Sequence, residues 1–128
     1  MTAKPSSLED TITTVTEYAR ARKFDKNSTA RGLAISLSLE ANELLEYFQW
    51  SEEPLGTKQD LESELADIFI YAIQFANNCD IDIPSAIQAK LQKMEQKYPI
   101  EIFHIEDDDE RAKAQLKAKQ NYKKDTAL

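Results

Sequence analysis

Apolar residues recur along most of the chain at steps of three and four, and alternating runs of β-branched residues are missing. That period predicts helices rather than strands. Residues 1–6 read as a frayed end. Leu8, Ile12, Val15 and Ala19 then line one face of a first helix that Ser7 and Asp10 cap and that runs to about Arg22. Residues 23–29 are polar and read as a loop. Ser28 or Thr29 starts a second helix, to about Trp50, with Leu37, Ala41, Leu44, Leu45 and Phe48 toward the core. Residues 51–57 hold Pro54 and Gly56 and form a turn. Thr57 and Asp60 repeat the capping pattern, and a third helix follows to about Asn78, carrying Leu61, Leu65, Ile68, Phe69 and Ile70. So short a turn makes the second and third helices antiparallel neighbours. Asp82 and Pro84 open a fourth helix, with Ile87, Leu91 and Met94 inward, which Tyr98-Pro99 ends near Lys97. Ile100, Ile102 and Phe103 are placed to dock. Residues 111–124 have helical propensity but only Leu116 and Tyr122 as large apolar anchors, which predicts a less ordered, solvated C-terminal helix or tail. The expected architecture is all-α and four-helix-bundle-like, with one domain over residues 1–104 and a charged tail over 105–128.

Composition narrows the function classes. Two Gly, four Pro, 41% hydrophobic and 30% charged residues suit a helical domain with a real core. A net charge of −7 speaks against general nucleic-acid binding, because phosphate contacts need a basic surface. Cys79 has no second cysteine to pair with, so a reducing cytoplasm is the expected compartment. The first residues lack the apolar run of a signal peptide. The longest apolar window, residues 65–76, is too short for a membrane span and contains Asp67 and Gln74.

The charge has a pattern of its own. Glu40 and Glu43 stand three apart on the second predicted helix, and Glu64 and Asp67 three apart on the third. Chance alone supplies roughly four such acidic pairs in a chain this acidic, so spacing by itself is weak. Position adds weight, because both pairs lie beside the apolar stripes of two helices expected to touch. Bare charges there are unfavourable without a cation between them. Four carboxylates with no His or Cys nearby suit a hard cation, Mg2+ or Mn2+. A di-iron site would want Glu-x-x-His pairs, and the only histidine, His104, lies elsewhere.

Glu40-x-x-Glu43, followed twenty residues later by Glu64-x-x-Asp67, resembles the acidic signature of the MazG-like nucleoside triphosphate pyrophosphohydrolases. The flanks extend the likeness: Glu43-Leu-Leu-Glu-Tyr-Phe-Gln-Trp50, Glu64-Leu-Ala-Asp67-Ile-Phe-Ile-Tyr71, Cys79-Asp-Ile-Asp-Ile-Pro84 and Lys97-Tyr-Pro99. They are closest to the dCTP pyrophosphatase branch and cover about residues 8–103. The resemblance implies Mg2+-dependent cleavage of a (deoxy)nucleoside triphosphate to monophosphate and pyrophosphate. It makes Glu40, Glu43, Glu64 and Asp67 the metal ligands; one of the glutamates also takes the proton of water, a role the sequence does not separate from ligation, and Glu43 is the candidate. Trp50 and Tyr71 are candidates to stack on base or sugar, against the plain reading that both are core aromatics. Lys90, Lys93 and Lys97 lie at helical spacing and either reach phosphates or form a solvated basic face. Arg31 is a further phosphate candidate, and Asn78 contacts the nucleoside or merely caps its helix.

One departure concerns the base. The dCTP branch usually has an aromatic–His pair in the loop before the second helix, and here that loop reads Asn27-Ser28-Thr29-Ala30-Arg31. The reaction therefore carries over better than the cytosine preference. A non-catalytic helical binding or oligomerisation module is the competing function, and the same reaction on a phosphoribosylated nucleotide a third. Ile35, Leu39, Ile73 and Phe75 lie off the stripes already used, which predicts a homo-oligomer; the resemblance implies a dimer or a tetramer.

Overall fold

The computed structural model describes residues 7–127, and the expected frayed end lies outside them. Seven helices and no strand are found among the described residues. They form two compact units, one reaching to Ile83 and one starting at Pro84.

In the first unit, α1 (Leu8–Ala21) begins where the Ser7 hydroxyl accepts the Asp10 N–H at 3.1 Å. It ends at Arg22, whose guanidinium lies 3.6 Å over the Tyr18 ring. Lys23 takes a left-handed conformation, φ 59°, and turns the chain directly into α2 (Phe24–Asn27). The expected loop over residues 23–29 therefore contains a helical turn. Its driving contact is tertiary, since Phe24 meets the Tyr18 ring edge-on at 6.3 Å.

Thr29 caps α3 (Ala30–Glu46) by accepting the Gly32 N–H at 3.0 Å. This helix stops short of the expected Trp50. Tyr47 is its C-cap, and the Tyr47 carbonyl accepts a hydrogen bond from the Leu55 N–H at 2.9 Å, where a continued helix would have used the N–H of residue 51. α4 (Lys58–Asn78) opens on a complete capping box: the Asp60 N–H donates to the Thr57 hydroxyl at 3.1 Å, and the Thr57 N–H donates to the Asp60 carboxylate at 2.8 Å.

α3 and α4 form the main helix pair and run antiparallel, as expected. Tyr47 stands beside Asp60, Glu43 beside Glu64, and Leu33 shares a cavity wall with Gln74. α1 lies on α4 and completes the core of Ala19, Leu33, Ile73 and Ala76. Ile73, placed above among the surplus apolar residues, is 2% exposed, because α1 covers the face of α4 that carries it. Ile35 and Leu39 do remain exposed. Two amides tie the far end of α4 down: Asn77 donates to the Thr16 hydroxyl at 2.8 Å, and Asn78 donates to the Ser28 carbonyl at 3.1 Å.

In the second unit, α5 (Ile83–Lys97) has Pro84 in its first turn. Ile87, Leu91 and Met94 share a stripe, yet each keeps close to half of its surface, 46–49%. Their expected inward position is not met, since a 3.6-residue stripe marks a face without supplying its cover. α6 (Ile100–Phe103) sets Phe103 edge-on to Tyr98 at 6.4 Å. α7 (Asp108–Thr126) is a continuous helix where a less ordered helix or tail was expected. Asp107 caps it, accepting the Glu110 N–H at 2.8 Å. Acids fill its first turn and Lys123 and Lys124 its last, so its charges complement the helix dipole and support it without a large apolar face.

Candidate metal centre

The acidic pairs meet where α3 and α4 face each other. One carboxylate oxygen from each of Glu40, Glu43 and Glu64 lies within 4.8 Å of the other two. The helical step of three puts Glu40 and Glu43 on one side of α3, and the antiparallel register brings Glu64 opposite them. Glu40 and Glu64 are half-buried, whereas Glu43 is exposed.

The electrostatics are unfavourable as they stand. One oxygen of Glu40 and one of Glu64 are shut off from solvent with no hydrogen-bond partner. Burial, a shared hydrogen bond with Glu43 and the charges of Glu43 and Asp67 all push the Glu40 and Glu64 carboxyls above the ordinary carboxylate range. The ion pairs of Lys58 with Glu62 and of Arg111 with Asp108 lie outside the cluster, and the charges that act on Glu40 and Glu64 are those of other carboxylates. Converging hard oxygen donors, two of them orphaned in a buried position, fit a hard divalent cation. Asp67 stands one turn from Glu64 and outside the tight group of three, but close enough for its charge to act on both glutamates.

Next to the acids the helix pair opens into cavities. A cavity of about 420 Å3 is walled by Ser36 and Tyr71 at one end and by Phe24, Ser28 and Gln74 at the other. Ser36 lies one turn before Glu40 on α3, and Tyr71 one turn after Asp67 on α4. The cavity thus begins where the carboxylates end. A neighbouring cavity of about 300 Å3 shares Phe24, Ser28, Leu33 and Gln74 and reaches Asn78. Tyr71 therefore lines a cavity while half-buried, and Asn78 lines another while its amide holds the Ser28 carbonyl. Arg31 is exposed in the first turn of α3. Trp50 sits in the connection after α3 and is 81% exposed. Lys90 and Lys93 are exposed on α5 in the second unit, where Lys97 lies 5.3 Å from the Tyr98 ring.

Sequence reasoning missed Ser36, Phe24 and Gln74 as cavity walls and Tyr47 as a neighbour of the acids. Burial, first of all, then the charges of Asp60, Glu64, Glu43 and Glu46 hold the Tyr47 hydroxyl above its ordinary pKa. The signal was available for two of them: Ser36 is four residues before Glu40, and Tyr47 four after Glu43, each on the acidic face.

The chain is similar to known proteins. The model of the MazG-like family matches residues 35–121. dCTP pyrophosphatase 1 of Mus musculus is 31% identical over 104 residues, covering 75% of this chain and 61% of its own length. The Bos taurus protein of that name is 33% identical over 104 residues, covering 75% of this chain and 62% of its own length. The chain thus spans less than two thirds of the length of these curated relatives. The crystal structure of a pyrophosphatase from Archaeoglobus fulgidus superposes with a TM-score of 0.62 at 28% identity, over 77% of this chain and 98% of that one.

Proposed function

The chain belongs to the MazG-like family, and from that premise we propose that it hydrolyses a (deoxy)nucleoside triphosphate to the monophosphate and pyrophosphate in dNTP-pool house-cleaning, using Mg2+ or Mn2+. The observation that carries this reading is the pair of buried, unpartnered oxygens of Glu40 and Glu64 beside Glu43, one turn from a nucleoside-sized cavity. Glu40, Glu43, Glu64 and Asp67 would hold the ion. A bound divalent ion neutralises phosphate charge and lowers the pKa of a coordinated water.

The chain's own residues do the rest. A triphosphate laid with its phosphates at the acids places its sugar and base in the cavity walled by Ser36, Tyr71 and Phe24. Tyr71 offers a ring to sugar or base, and Asn78 a polar contact. Arg31 and Trp50 are the further substrate contacts of this reading. Glu43, the exposed member of the three, takes the proton as water adds to the α-phosphorus. The bond between that phosphorus and the bridging oxygen breaks, and pyrophosphate leaves with the electron pair. The relatives' name puts dCTP first among substrates to try, although the loop over residues 27–31 lacks the branch's aromatic–His pair.

Hydrolysis in 18O-labelled water tests the attack. Label in the monophosphate is the expected result, and label in the pyrophosphate contradicts attack at the α-phosphorus. The exposed Ile35, Leu39 and Phe69, with the uncovered stripe of α5, support a homo-oligomer, a dimer or a tetramer. A sedimentation mass equal to one chain at micromolar concentration contradicts that. Among the described residues no helix is long and apolar enough to cross a membrane.

A further inference from the structure

We infer that Tyr47 is a positioning residue for the carboxylate cluster: wedged against Gly56 where α3 hands over to α4, its ring fixes how far Glu43 stands from Glu64. The inference rests on the metal reading of that cluster. Two like-charged helix faces separate unless something holds them. On one side of the acids, the core of Leu33, Ile73 and Ala76 does so. On the other side, the joint between residues 47 and 60 is what ties the helices.

That joint is tightly built. The Leu55 N–H returns to the Tyr47 carbonyl at 2.9 Å. A Cβ on Gly56 would stand 2.5 Å from Tyr47 Cε1, 2.6 Å from its Cδ1 and 3.1 Å from the Asp60 carboxylate. The φ of Gly56 is not positive, so glycine is required there by space and not by backbone conformation. The same Asp60 carboxylate accepts hydrogen bonds from the Thr57 N–H at 2.8 Å and the Thr57 hydroxyl at 2.9 Å. The C-cap of α3, the glycine and the N-cap of α4 therefore form one contact set. Glu43 lies four residues before Tyr47 and Glu64 four after Asp60, each about 6 Å along its helix from the joint. A shift of the ring passes to both ligands within a single turn.

The test titrates Mg2+, and separately Mn2+, into the full chain, reading the metal midpoint by thermal shift and calorimetry. Tyr47→Phe keeps the wedge and holds the midpoint to within about twofold. Tyr47→Ala and Gly56→Ala each raise it about tenfold, the scale of a lost supporting contact at a metal site. Combining the two adds little, because the methyl on Gly56 collides only while the ring is present. A merely structural role would lower the metal-free melting temperature and leave the midpoint in place, which overturns the inference. So does a Tyr47→Phe variant as weak as Tyr47→Ala, which assigns the effect to the hydroxyl. If Tyr47→Ala does not fold, Tyr47→Leu and Gly56→Ala decide by the same readout. A wild-type chain that binds neither ion overturns the metal reading itself, and the inference with it.

Discussion

The two ends of the α3–α4 pair solve opposite problems with the same packing. Toward the start of α3, Leu33 of α3, Ile73 and Ala76 of α4 and Ala19 of α1 are all buried. Toward its end, the same facing positions hold Glu40, Glu43 and Glu64, with buried oxygens that lack partners. The first end is complete as a single chain. The second holds like charges together, and the rest of the helix pair must keep them there. A helix pair can host such a cluster only when its stability is made elsewhere, and here it is made at the core end and at the Thr57–Asp60 cap.

The comparison breaks most readily at the core. Ile73→Ala removes the most buried side chain and is expected to lower stability by about 2–5 kcal/mol in urea unfolding. A loss under about 0.5 kcal/mol would show that the core end is not what holds the pair.

A smaller effect sharpens the acidic end. Glu40 and Glu64 have carboxyl pKa values raised above 4.5, so the folded chain binds their protons more readily than the unfolded chain does. Metal-free stability should therefore rise as pH falls toward 4.5 and drop as pH rises through the folded values. Urea midpoints in EDTA between about pH 5 and pH 7 read that slope. It should flatten in Glu40→Gln/Glu64→Gln, and an identical slope in that variant would place the strain elsewhere. The smallest effect is at the surface: the Lys58–Glu62 pair is highly exposed, and Lys58→Ala should change stability by less than about 0.5 kcal/mol.

Much of this was legible in the chain, for local reasons. Ser7, Thr29 and the Thr57–Asp60 box cap their helices because capping is a matter of three or four adjacent residues. Glu40, Glu43 and Glu64 meet because a step of three and an antiparallel register follow from the pattern. What was not legible depends on contacts that reach beyond a single helical turn. The end of α3 at Glu46 depends on Leu55 reaching back to Tyr47. The turn of α2 depends on Phe24 finding Tyr18. Ile73 reads as surplus in the sequence because the covering helix, α1, lies more than fifty residues earlier. The place of Tyr47 on the acidic face follows from its spacing to Glu43, but its wedge against Gly56 depends on the turn folding back onto α3.

The measurement that meets the central claim most directly is pyrophosphate release from a panel of dNTPs and NTPs, with Mg2+ and with EDTA, beside Glu43→Gln. Metal-dependent release from one or a few dNTPs is expected, abolished by EDTA and reduced on the order of a hundredfold or more in the variant. Release that survives EDTA, or a Glu43→Gln rate equal to wild type, contradicts it. Silence across the whole panel would favour a helical module that holds a metal ion without turning over.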